Sequence, residues 1–183
     1  MMKVLNVGGG PTRQLPPQYD GWKQCLLDID PATNPDLCLD ARELCTLDAN
    51  QFDAVYCSHN LEHYYKHEVP VVLKGFHHVL KEGGFVDVSV PNIRGLCSAM
   101  IASNLDINDV WYRTGQGVPI TFHDVMFGWG LQVEFGNPWY AHKTAFTPLS
   151  LSEAFSRAGF AEVIVSDQGS NLFAKATKSC PQP

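Results

Sequence analysis

The chain has 183 residues, of which 45% are hydrophobic, 11% aromatic and 17% charged. One soluble domain spanning 1–183 is expected: a single domain takes roughly 100–200 residues, the apolar content excludes disorder, and no run approaches the roughly 18 apolar residues of a membrane span. Thirteen basic and nineteen acidic residues give a net charge of −6 and a pI near 5.5, so no nucleic-acid partner held through clustered phosphate contacts is expected.

Met1–Leu5 leads into an apolar run too short for a signal peptide, which predicts a cytoplasmic setting. Lys3–Val7 reads as a buried strand ended by Gly8-Gly9-Gly10-Pro11. Gln24–Asp28 is a second strand, Leu37–Leu39 a weak third, and Ala54–Ser58 a fourth. From Val69, apolar residues at 72, 73, 76, 79 and 80 mark one helical face over about 68–80. Gly83-Gly84 is expected to end that helix and turn into a fifth strand, Phe85–Val90. Residues 93–146 hold Trp111, Trp129 and Trp139 and read as an insertion capping one end of the sheet. A second helix is expected from Ser150, with a Ser150–Glu153 capping box and a stop at Gly159. Ala161–Val165 and Asn171–Thr177 follow as an antiparallel hairpin around Gly169, and the tail from Ser179 to Pro183 is expected to fray. The six cysteines form no C-x-x-C pair and are expected as free thiols. Strand, turn and helix alternate, which predicts an α/β fold with a parallel sheet.

The glycine loop is the first chemical signal. Glycine lets backbone approach a ligand closely, and ligands of open α/β sheets sit beyond the carboxyl ends of the strands. Asp28 lies 20 residues past Gly8, the interval of an acidic residue that grips ribose hydroxyls. A dinucleotide also needs a third glycine and a helix N-terminus at its pyrophosphate. Here Arg13 takes that glycine's place, and Pro11, Pro16 and Pro17 oppose a long helix. S-adenosylmethionine (SAM) has adenosine but no phosphate, so the loop favours it over NAD.

VLNVGGG, LLDIDP, LDAREL, FDAVYCSHNLEHYYKHEV, VLKEGGFVDVSVPN and FTPLSLSEAFSRAGF, in this order over residues 3 to about 166, resemble the class I SAM-dependent methyltransferases. The likeness is to small, compact members of the methyltransferase type 11 kind. It implies a Rossmann-like seven-strand sheet, mostly parallel with an antiparallel last strand and helices on both faces. It implies SAM as cofactor. Gly8 and Gly10 would then lie under the methionine part, Asp28 at the ribose, Asp40 and Ala41 at the adenine edge, and Ser58 and His59 beside the sulfonium, with Asn6, Gly9 and Ile29 also on the cofactor side. Asn6 stands where the family commonly has an acidic residue; it keeps a hydrogen-bonding side chain without the charge.

His59, His63 and His67 are spaced by four with Glu62 nearby, and three imidazoles can hold a tetrahedral metal with one open position. The spacing is not H-E-x-x-H, since Asn60 stands in the glutamate's place, and His59 belongs to a strand end. No metal is expected; His63 reads as a buried structural group and His67 as surface. His59 is the candidate catalytic residue, since imidazole can take a proton from an attacking hydroxyl or amine near neutral pH. His123, Trp139 and His142 are candidates for the substrate side. The expected activity is methyl transfer to a small-molecule or glycan acceptor. Alternatives are a SAM-binding domain without turnover and an NAD(P)-dependent oxidoreductase, against which Arg13 speaks.

Overall fold

Backbone hydrogen bonding divides the chain as follows in a computed structural model, which describes residues 1–180. The first half holds β1 (Lys3–Val7), β2 (Lys23–Asp28), β3 (Leu37–Cys38), β4 (Phe52–Ser58), α1 (Val69–Val79) and β5 (Leu80–Pro91). The second holds α2 (Ile93–Ala102), β6 (Val110–Arg113), β7 (Pro119–Thr121), α3 (Phe122–Phe127), α4 (Gly130–Glu134), α5 (Pro148–Arg157), β8 (Ala161–Gln168) and β9 (Asn171–Thr177). Seven strands form one sheet in the order β3-β2-β1-β4-β5-β9-β8. The pairs from β3 to β5 are parallel, while β9 runs antiparallel to both β5 and β8.

The apolar residues of β1 explain its central place. Val4, Leu5 and Val7 are buried, as a strand flanked by two parallel neighbours requires. Helix α1 turns Val69, Val72, Leu73, Phe76 and Val79 inward. It packs on a 3-10 segment, Ala41–Thr46, and on α5, and together they close the main core over one sheet face. The cover is uneven. The other face is served by the loop after β1, where Tyr19, Leu15 and Trp22 gather on Val4 and Ala54. Its only helical turn is the 3-10 segment Pro17–Tyr19, in line with the prolines there.

Two expected boundaries are corrected. Helix α1 ends at Val79, before the glycines. Leu80 is already extended, fully buried and paired with Phe52, and Gly83 (φ 74°) shapes a turn inside the irregular start of β5. Burying Leu80 against the sheet outweighs one more helical residue. Helix α5 is capped by Thr147 rather than Ser150. The Thr147 hydroxyl accepts from the Ser150 amide and Ser150 Oγ accepts from the Thr147 amide, with Pro148 pre-set for the first turn. Glu153 instead pairs with Arg157. Gly159 (φ 96°) ends the helix as expected. The expected tail runs to Pro183, and its last three residues lie outside the described ones.

Residues 93–146 build a separate cluster around Leu96, Phe122 and Met126, with Trp111 stacked on Phe122 at 4.6 Å. The Glu62 carbonyl accepts from the Lys143 and Thr144 amides, and Asn92 bridges to Phe146. These bonds seat the segment beyond the carboxyl ends of β4 and β5.

Candidate active site

The glycine loop leaves β1 with Gly8 (φ 68°) and Gly10 (φ 60°) in left-handed conformations that favour glycine. The Gly8 amide donates to the Leu27 carbonyl, tying the loop to β2. A Cβ on Gly8 would collide with the Asn60 amide, and one on Gly9 with that of Asn6. A Cβ on Gly10 would meet nothing within 4 Å, so the backbone there is open to a ligand. Asp28 is buried at the end of β2. Its carboxylate accepts from the Gly10 amide at 3.2 Å and the Asp30 amide at 3.0 Å, so one acid shapes both the glycine loop and the turn at Ile29. The Asn6 amide nitrogen is buried beneath Gly9 with no hydrogen-bond partner.

The other cofactor-side candidates divide. Ile29 and Asp40 face a cleft of about 130 Å³ with Arg42, Asn60, His63, Tyr64, Tyr65, Glu68, Trp139 and Lys143. The Asp40 carboxylate is gripped by Arg42, with Nη2 2.6 Å from Oδ2, and Arg42 also pairs with Glu68. Burial would push the Asp40 carboxyl up, but the Arg42 bonds outweigh it and hold the pKa below the usual range. Ala41 is fully buried and offers no side-chain surface. Ser58 Oγ is bonded to Ser89 Oγ at 2.8 Å.

A larger cavity of about 640 Å³ opens beside this cleft. His59, Trp111, Asp124, Trp129, Tyr140 and His142 line it, with Pro91, Ser170 and Asn171 from the sheet side. His63 belongs to the walls of both spaces. His59 directly follows β4 with φ 49°, an uncommon conformation that histidine tolerates better than β-branched residues. Its Nδ1 lies 3.3 Å from Glu62 Oε1, close enough for an ion pair. That contact raises the His59 pKa above the ordinary imidazole value, and partial burial opposes it.

The substrate-side candidates also divide. His142 reaches the large cavity. Trp139 lines the smaller cleft instead, and His123 is exposed and tilted against Phe127 at 5.0 Å. His67 is exposed, stacked on Tyr65. Two residues absent from the expected site stand inside it. Asn60 packs on Gly8, and Glu62 sits 1% exposed among His59, His63 and His142. The LEH run places Glu62 near two of those histidines in sequence, but nothing in it points to His142, 80 residues away.

This sheet order, with a glycine loop after β1 and an acid ending β2, is the class I methyltransferase architecture. The methyltransferase domain family matches residues 7–87 of the chain. Among solved structures, a SAM-dependent methyltransferase from Archaeoglobus fulgidus is similar, with a TM-score of 0.62 and 16% identity over 97% of this chain and 86% of that one. A SAM-dependent methyltransferase from Thermotoga maritima, described as a possible histamine N-methyltransferase, gives 0.63 and 13% identity over 98% and 83%. A putative methyltransferase of Haloferax volcanii, in complex with the Trm112 methyltransferase activator, gives 0.63 and 12% identity over 100% and 84%. No curated protein matches the chain. Residues 7–87 thus match a methyltransferase domain, and the chain has the fold of the SAM-dependent methyltransferases, whose cofactor is SAM. The open backbone at Gly10, the acid at the end of β2 and the unpartnered Asn6 amide fit that cofactor. No helix among the described residues is long and apolar enough to cross a membrane.

Proposed function

We propose that the protein transfers the methyl group of SAM to a small-molecule or glycan acceptor. The observation that carries this reading is the shared wall: the cleft at Ile29 and Asp40 and the large aromatic cavity meet at His63. A donor in the first and an acceptor in the second would face each other across the carboxyl ends of β4 and β5. SAM supplies an already activated methyl, so alignment does most of the catalytic work.

Each residue then has a task. Gly8, Gly9 and Gly10 hold the methionine part by backbone, and Asp28 takes the ribose. Ile29 and Asp40 border the adenosine, and Ser58 borders the sulfur. His59, on the cavity wall, contacts the acceptor's nucleophilic atom. Trp111, Trp129, Tyr140 and His142 enclose the acceptor, with residues 93–146 as the cap that excludes water. A cavity walled by aromatic rings and a few polar groups suits a small molecule or the apolar face of a sugar.

The test is binding followed by turnover. SAM and S-adenosylhomocysteine should raise the melting temperature, and NAD should not. Methyl transfer from labelled SAM across hydroxyl, amine and glycan acceptors should then appear and fall on His59→Ala. A shift with NAD and none with S-adenosylhomocysteine would overturn the reading. Tight SAM binding with no transfer across the panel would leave a binding module.

A further inference from the structure

Glu62 is the least explained group in the molecule. It is 1% exposed, and both carboxylate oxygens are buried without a hydrogen-bond partner. An ionised carboxylate in such a place costs several kcal/mol unless charge or hydrogen bonds compensate it. Three imidazoles surround it. His59 Nδ1 lies 3.3 Å and His142 Nε2 3.9 Å from Oε1. The His63 ring meets that of His142 at 4.9 Å. Ligand atoms of Glu62, His63 and His142 all fall within 4.8 Å of one another.

The outer bond of His63 matters as much. His63 Nδ1 bonds to the Ala141 carbonyl at 3.1 Å. A carbonyl takes an N–H, which leaves the opposite ring nitrogen with a free lone pair. Metal-binding histidines are oriented in this way, by a backbone carbonyl on the far nitrogen.

We propose that Glu62, His63 and His142 form a binding site for a divalent transition metal of the Zn²⁺ type, open toward the acceptor cavity. Two imidazoles and a carboxylate are a donor set suited to such ions, and three protein ligands leave a position for an exogenous one. His63 and His142 line the 640 Å³ cavity, so that position faces the acceptor. The ligand class is then an oxygen donor: a hydroxyl, phenol or carboxylate that the metal holds and polarises. This acceptor role rests on the methyltransferase reading; the metal site itself does not. It also replaces the expectation of no metal. The sequence pattern joined His63 to His59 and His67 with Glu62 nearby, whereas the fold brings in His142.

The site can be tested without SAM or acceptor. The untagged full chain is stripped with chelator, its cysteines are alkylated, and it is titrated with Co²⁺ and with Zn²⁺. One equivalent per chain should bind, and the Co²⁺ form should show visible ligand-field bands without thiolate charge transfer. His142→Ala should lose more affinity than the about 10–100-fold typical of removing a supporting partner, and Glu62→Gln should do likewise. Circular dichroism checks that each variant is folded; if one is not, His63→Gln replaces it. No stoichiometric binding by the alkylated wild type, or equal binding by a folded His142→Ala, overturns the proposal. Metal binding without methyl transfer would sink the functional reading and leave the site standing.

Discussion

Gly8 and Asp28 work on one loop by opposite means, one by lacking a side chain and one by placing a carboxylate under an amide. An alanine at position 8 must adopt φ 68° and push away Asn60. Strain of this kind costs about 1–3 kcal/mol. Gly8→Ala should therefore bind S-adenosylhomocysteine about tenfold or more weakly, read by calorimetry, with an unchanged far-ultraviolet spectrum. Asp28→Ala removes a charged acceptor from two amides and from the proposed ribose contact. Bonds to charged groups are worth about 1.5–3 kcal/mol, so its affinity should fall at least as far. An unchanged affinity would remove Asp28 from the site. Gly8 and Asp28 were legible in the sequence because both act within one βα unit. The burial of Glu62 beside His142 was not, because it depends on a segment that returns from far along the chain.

At the scale of elements, the 93–146 segment is held by short-range devices. Helix α3 starts with a capping box: the Thr121 hydroxyl accepts from the Asp124 amide, and Asp124 Oδ2 accepts from the Thr121 amide and hydroxyl. Asp124 Oδ1 also accepts from the Gly130 amide, joining α3 to α4. Burial would raise the Asp124 carboxyl, but the Thr121 and Gly130 bonds outweigh it and hold the pKa below the usual aspartate value. A depressed folded-state pKa means the contribution is present above the unfolded value and lost as pH falls through the folded one. Asp124→Ala should cost about 1 kcal/mol at pH 7. In melts run at successively lower pH, the gap to wild type should close as the wild-type carboxylate protonates. A gap independent of pH would remove the ionised cap.

Gly128 carries a second device. It bridges to Ala141, its φ is 99°, and a Cβ there would strike the Tyr140 carbonyl. The Phe127 carbonyl accepts from the His142 amide beside it. Gly128→Ala should displace the segment that places His142 and lower turnover while leaving S-adenosylhomocysteine affinity intact. The Thr147 cap shows why boundaries are hard to read. Ser150 and Glu153 match the Ser/Thr-x-x-Glu/Gln pattern better than Thr147 and Ser150 do, yet Pro148 at the first helical position sets the cap at Thr147.

Over the whole molecule, the helices α1 and α5 and the Ala41–Thr46 turn close one face of the sheet, and aromatic side chains on a loop close part of the other. Stability is concentrated on the first face. Phe76 is fully buried there, and Phe76→Ala should cost about 3–5 kcal/mol and lower the melting temperature by roughly 10 °C. A fall of only a degree or two would show that the core lies elsewhere.

The sequence by itself determined the sheet, the glycine loop, the acid that ends β2 and the absence of a long helix after β1. Each of these is a local or periodic property: apolar alternation, a run of glycines, a fixed interval and the missing N–H of proline. The tertiary structure decided what stands opposite the cofactor half. His142 reaches Glu62 because the Glu62 carbonyl accepts from Lys143 and Thr144. Of the expected substrate-side residues, His123 turned outward and Trp139 fell to the smaller cleft, since those 3-10 turns and short helices carry no period that fixes a facing side. Backbone pairing across 80 residues brings a carboxylate and two imidazoles into contact, and no spacing in the chain encodes that distance.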